Sequence, residues 1–211
     1  MCIKNKVDVD ILKSLKALYF GDFTNPIKAA SDRAYRDMNR TIRFVAGVSK
    51  ATRDKLKDEV YKVFVVELKD LNSKNIKSQD DFDKWHKKVS DEIKKIYSSK
   101  VGKDNGGYDT LTYGQTQKWI NMTIKYLYIL EAYSFSGVFK FLHIPLDKYI
   151  LNIVEDKLKI SRPILVWSRW DNYDEYLEYQ KLIRDKIKPQ VPLRWEFREW
   201  LEAARNIMIN D

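Results

Sequence analysis

The chain holds one cysteine, Cys2, in 211 residues, with two histidines, five prolines and seven glycines. A lone thiol excludes an intramolecular disulfide and a cysteine-rich zinc site, which favours a reducing compartment, so a cytoplasmic location is expected. Long apolar runs are missing too. A bilayer-crossing helix needs about 18 or more consecutive apolar residues, and no segment approaches that. The first residues, Met1 to Asp8, also lack the apolar centre of a secretion signal, so no membrane partner is expected. There is no G-x-S-x-G, no phosphate-binding glycine loop, no H-E-x-x-H and no C-x-x-C. No cofactor and no bound metal are therefore expected. Internal repeats that would indicate a solenoid are absent as well.

What is present is charge and helical periodicity. Hydrophobic residues make up 44% of the chain and charged residues of both signs 33%, which suits one packed domain spanning residues 1–211. The net charge of +9 is uneven: residues 1–100 carry 23 Lys and Arg against 15 Asp and Glu, and residues 101–211 carry 16 against 15. An anionic partner, DNA or RNA foremost, should meet the first half. A loop at 98–111, with three of the seven glycines, is expected to act as a hinge between the basic and the near-neutral half.

Start and stop signals predict an all-α fold of about seven or eight helices. The first runs from Asp8 to Phe20, with Ile11, Leu12, Leu15, Leu18 and Tyr19 on one face, and Gly21 closes it as a C-cap. The second starts at Pro26 and continues to Gly47. A third follows Ser49 or Thr52, and a fourth starts near Ser78 and buries Phe82, Trp85, Val89, Ile93 and Ile96. Thr112 and Gln115 form a capping box for a central helix to about Glu131. Three more are expected from Pro145 to Arg162, from Asn172 to Lys188, and from Pro192 with Phe197, Trp200, Leu201 and Ala204 inward.

Four of the eleven arginines, Arg33, Arg36, Arg40 and Arg43, recur at spacings of three and four. On one helix they would form a stripe about 15 Å long. A planar guanidinium fork suits phosphate, so this stripe is the candidate anion site, with a solvated face paired to Asp32 and Asp37 as the plainer reading. On the central helix Lys118, Asn121 and Lys125 share a polar strip, which implies a binding cleft or an internal hydrogen-bond network. His143, near Asp147 and Glu131, is the candidate general base of a small hydrolase or nuclease; the expected catalytic pair is His143 with Asp147. Residues 167–179 interleave five aromatics with Asp171, Asp174, Glu175 and Glu178. They read as an acidic aromatic patch for a protein partner and as a poor nucleic-acid platform. The preferred function is a basic helical protein that binds an anionic partner through the arginine stripe.

Overall fold

Helix ends fall where the sequence supplies groups to satisfy them. In the computed structural model, which describes residues 8–72, 76–102 and 107–210, Asp8 accepts from the Asp10 amide and starts α1 (Val9–Phe20), and Gly21, at φ 76°, ends it. Asn25 caps α2 (Pro26–Met38), which carries proline in its first turn. Ser49 Oγ accepts from the Thr52 amide at the start of α3 (Lys50–Asn72). Reciprocal capping boxes open α4 (Gln79–Tyr97), through Ser78 and Asp81, and α5 (Tyr113–Ile129), through Thr112 and Gln115. Asp147 caps α6 (Lys148–Ile153), and Asn172 caps α7 (Tyr173–Ile187). The last helix, α8 (Pro192–Asn210), begins at a proline. The chain is all-α, 69% helical, with eight α-helices among the described residues. Among the described residues one bridge of extended backbone joins Phe44 to Val101.

Two helices depart from the expected bounds and two from the expected inward face. The second helix stops at Met38 instead of Gly47. Residues 39–41 tighten into a 3-10 turn, Thr41 Oγ1 donates to Met38 O, and Ile42 is extended. Beyond it the backbone is taken by residues 100–102: Val45 N donates to Lys100 O at 3.0 Å and Gly102 N to Arg43 O at 2.7 Å. The helix expected from Pro145 starts only at Lys148, widens over Val154–Leu158 and ends at Lys159 in the left-handed region, φ 59°. Along α8, Leu193, Trp195, Glu196 and Glu199 face inward, whereas Trp200 and Leu201 are exposed. On α1 the expected apolar face exists, but it looks to solvent.

Packing centres on α5, which is buried around its circumference from Gly114 to Leu127. One cluster joins α2, α3, α4 and α5 through Ala30, Ala34, Val60, Phe64, Val89, Ile93, Trp119 and Ile120. A second joins Ile144, Ile150, Val154, Tyr176, Ile183 and Trp195. Each fully buried aliphatic side chain contributes roughly 1.5–3 kcal/mol. The two clusters meet near residues 142–144, whereas the 98–111 loop joins α4 and α5, which pack on each other. Within that loop, residues 103–106 lie outside the described residues, as do 73–75 after α3.

Candidate anion-binding groove

Between α2 and α3 lies a groove of about 380 Å³. Arg36, in the last turn of α2, contributes one cation. Lys50, Arg53 and Lys57, spaced three and four apart on α3, contribute three more. Phe44, just past the end of α2, holds the Arg53 guanidinium 4.6 Å from its ring centroid, and Arg53 Nε donates to Val48 O at 3.3 Å. Lys57 stands 5.6 Å from the ring of Tyr35, which forms the groove's inner wall.

Two acids share the groove. Asp54 accepts from Lys50 at 2.8 Å and lies 3.0 Å from Lys57. Hydrogen bonds from Lys50 first, then from Lys57, hold its carboxyl below the usual carboxylate range. Asp32 is drawn toward Lys28, at 3.5 Å. Among the described residues, neither Arg36 nor Arg53 meets a carboxylate within 4 Å. Lys50 and Arg53 also lie in the first turn of α3, where the helix dipole is positive. The groove is therefore a fixed concave surface with two uncompensated guanidinium forks.

The four expected arginines do not form one stripe. Arg33 turns toward α1, its guanidinium 4.0 Å from the Tyr19 ring and 3.3 Å from Asp37. Arg36 alone lines the groove. Arg40 and Arg43 lie beyond the end of α2, exposed, with Arg43 Nη1 donating to Arg40 O at 2.6 Å. Sequence reasoning missed the α3 cations, although the spacing of Lys50, Arg53 and Lys57 was a readable signal.

The polar strip of α5 is occupied from within the fold. Lys118 reaches Asp147 at 2.6 Å, and Lys125 reaches Glu196 at 2.7 Å. Asn121 Nδ2 donates to Gln117 Oε1 at 3.1 Å and to Tyr176 Oη at 3.0 Å. Gln117 in turn exchanges hydrogen bonds with the backbone of Leu146, donating at 2.7 Å and accepting at 3.1 Å. All of these strip residues on α5 are buried. They bind the 143–147 segment, α7 and α8 to α5 and leave no open cleft at Lys118, Asn121 and Lys125.

His143 does not meet Asp147 or Glu131. Asp147 holds Lys118 and caps α6 through the Ile150 amide at 3.0 Å, while Glu131 pairs with Lys16 at 2.7 Å. His143 instead donates from Nε2 to Asp83 Oδ1 at 2.8 Å and accepts at Nδ1 from Tyr176 Oη at 2.8 Å. The proton placement follows from the partners: Tyr176 Oη already accepts from Asn121 and Gln180, so its own hydrogen points to the imidazole. His86 lies 4.9 Å away, ring to ring, and bonds Tyr173 Oη through Nδ1 at 2.8 Å. Burial pushes both histidines below their ordinary value, His86 further, although Asp83 pulls His143 the other way. A general base must face its substrate with a free nitrogen. Both nitrogens of the fully enclosed His143 are engaged.

Four of the five aromatics of residues 167–179 are interior, since Trp170, Tyr173, Tyr176 and Tyr179 belong to the second cluster, and Trp167 is partly buried against it. The expected acidic aromatic patch is thus core. Its acids serve locally, with Asp171 accepting from the Tyr113 amide at 2.9 Å and pairing with Lys94, and with Glu175 accepting from Trp170 Nε1 at 3.1 Å. Among the described residues no group of three or more His, Cys, Asp and Glu is placed to hold a metal, and no helix is long and apolar enough to cross a membrane. Comparison with protein families, with characterised proteins and with solved structures finds no match to this chain.

Proposed function

We propose that the protein binds an anionic polymer, nucleic acid foremost, with phosphate groups seated in the α2–α3 groove and with exposed Arg40 and Arg43 as flanking contacts. The single observation that carries this reading is that Arg36 and Arg53 share a groove without a carboxylate partner among the described residues. A guanidinium fork binds phosphate bidentately, and one on a rigid helix loses little freedom in doing so. The excess of positive charge in residues 1–100 adds long-range attraction on the same side of the sequence. The hydrolase reading has no such support, because His143 is enclosed.

The test separates the groove from bulk charge. Arg36→Ala with Arg53→Ala should weaken binding to DNA or RNA probes by about tenfold or more, and should shallow the log-log salt dependence by about one unit per lost contact. Lys84→Ala with Lys87→Ala removes the same charge from exposed lysines that already pair with Asp80 and Asp91; that variant should bind almost as the unaltered chain does. Equal losses from the two double variants would reduce the groove to part of a solvated surface. Absence of salt-dependent binding to any single- or double-stranded probe would remove the reading.

A further inference from the structure

Helix α1 presents its apolar side to solvent. Ile11, Leu12, Leu15 and Leu18 cover about 120° of its circumference, all exposed, Leu18 to 84%. The helix cannot turn this face inward. It is held against rotation by buried Phe20 and by Lys16 on Glu131 beside the apolar face, and by the Tyr19 hydroxyl, within that face, on that of Tyr126 at 3.0 Å. A cluster of large apolar side chains left in water marks a contact surface.

The same molecule carries a second unfilled apolar feature. A groove of about 900 Å³ runs between the end of α5 and α8, walled by Tyr128, Phe197 and Leu201 and rimmed by Arg194 and Arg198. Arg198 pairs with Glu199 at 2.7 Å; Arg194 lies over the Phe139 ring and meets no carboxylate within 4 Å among the described residues. The groove adjoins α1 through Glu131, which lines the one and pairs with the other. Its chemistry asks for a helix with apolar anchors at three- and four-residue spacing and with acidic flanks. α1 has both: Ile11, Leu15 and Leu18 as anchors, with Asp8 and the 90% exposed Asp10, 3.9 Å from Lys13, in its first turn.

We propose that the occupant is a second copy of this chain, with α1 of each protomer seated in the α5–α8 groove of the other. Helix and groove adjoin on one molecule, so a two-fold axis can satisfy both contacts at once, in an isologous dimer. Doubling the contact brings the buried surface toward the roughly 800 Å² per partner of a stable interface. Asp8 and Asp10 of one copy then face Arg194 of the other.

Sedimentation of the full chain over a micromolar concentration series should show a monomer–dimer equilibrium. Leu18→Asp, on the helix, and Leu201→Asp, in the groove, should each weaken dimerisation by about tenfold or more with an unchanged helical spectrum. Leu15→Asp replaces Leu18→Asp if that variant loses helicity. Mixing the helix variant with the groove variant should restore association beyond either alone, because one wild-type helix then meets one wild-type groove. The proposal is overturned if the unaltered chain is a monomer throughout, or if Leu201→Asp leaves the dimer intact, which would mean that the α1 helices pair with each other. Binding of a monomer to phosphatidylserine vesicles, abolished by Leu18→Asp, would overturn it in favour of a lipid surface.

Discussion

At Gly114 the backbone of α5 comes close to that of the 167–170 turn. The Gly114 amide donates to Trp170 O at 2.7 Å, Thr112 Oγ1 donates to Ser168 O at 2.9 Å, and a methyl group on Gly114 would overlap the carbonyl oxygen of Trp167. Replacing glycine by alanine in an open helix stabilises it by up to about 1 kcal/mol. Here the obstacle is backbone, which cannot swing aside, and forcing extra volume into packed structure costs about 1–3 kcal/mol. The steric cost decides the sign. Gly114→Ala should lower the urea midpoint, and a midpoint at or above that of the unaltered chain would show that the 167–170 turn gives way freely. The residue was visible in the sequence only as a helical glycine; what it avoids is 53 to 56 positions away and could not be read locally.

At the scale of elements, Lys125 of α5 and Glu196 of α8 form an ion pair in which both side chains are buried and Glu196 Oε2 has no hydrogen-bond partner among the described residues. Burial holds the Glu196 carboxyl above its ordinary value, with Lys125 acting against that. Removing the cation alone strands a buried carboxyl, so Lys125→Met should cost about 3–5 kcal/mol, lessened as Glu196 takes up a proton. The double change Lys125→Met with Glu196→Leu should recover most of that loss, because the uncompensated charge goes with it. Chemical denaturation of the two single variants and the double variant gives the coupling directly, and additive losses would contradict it. This pair also explains why α8 was misread. Hydrophobic pattern alone points Trp200 and Leu201 inward, and nothing near Glu196 or Glu199 in sequence announces Lys125 or Lys157 as partners. Capping boxes are different. Ser78 with Asp81 and Thr112 with Gln115 are complete within four residues, and both helix starts were legible. The end of α2 was not, because residues 43–45 leave the helix to bond 100–102, over 50 residues on. The groove was half legible for the same reason: Arg36 was found, and its α3 partners required knowing which helix packs against α2.

At the scale of the whole molecule, the buried polar groups around the two histidines tie α4, α5, α7 and the 143–147 segment together, and this sets a pH dependence. Facing His86 and His143 are Asp83 and Gln79 from α4, Asn121 from α5, and Tyr173, Tyr176 and Arg184 from α7, with Gln180 bonded to the Tyr176 hydroxyl. Burial lowers both imidazoles below 6.5, so the native state holds them neutral where the unfolded chain would protonate them. As pH falls below about 6.5 the unfolded chain therefore binds more protons, and stability falls by about 1.4 kcal/mol per pH unit for each histidine still neutral in the fold. Asp83 works lower on the scale. Its carboxyl is held below 3.8, chiefly by His143 against the opposing effect of burial, so its contribution is present above that value and is lost only as pH falls further. Glu196 acts in the opposite sense, its raised value making the fold bind the extra proton above 4.5. The histidine contribution is isolated by comparison: urea midpoints of the unaltered chain should drop steeply between about pH 6.5 and pH 5. His86→Phe should be less stable at neutral pH, because Tyr173 Oη keeps only its bond to Asp83 O and loses the one to the imidazole, yet show a visibly shallower decline on acidification. Parallel decline in the two proteins would mean that His86 is protonated in the native state and that the network does not hold it neutral.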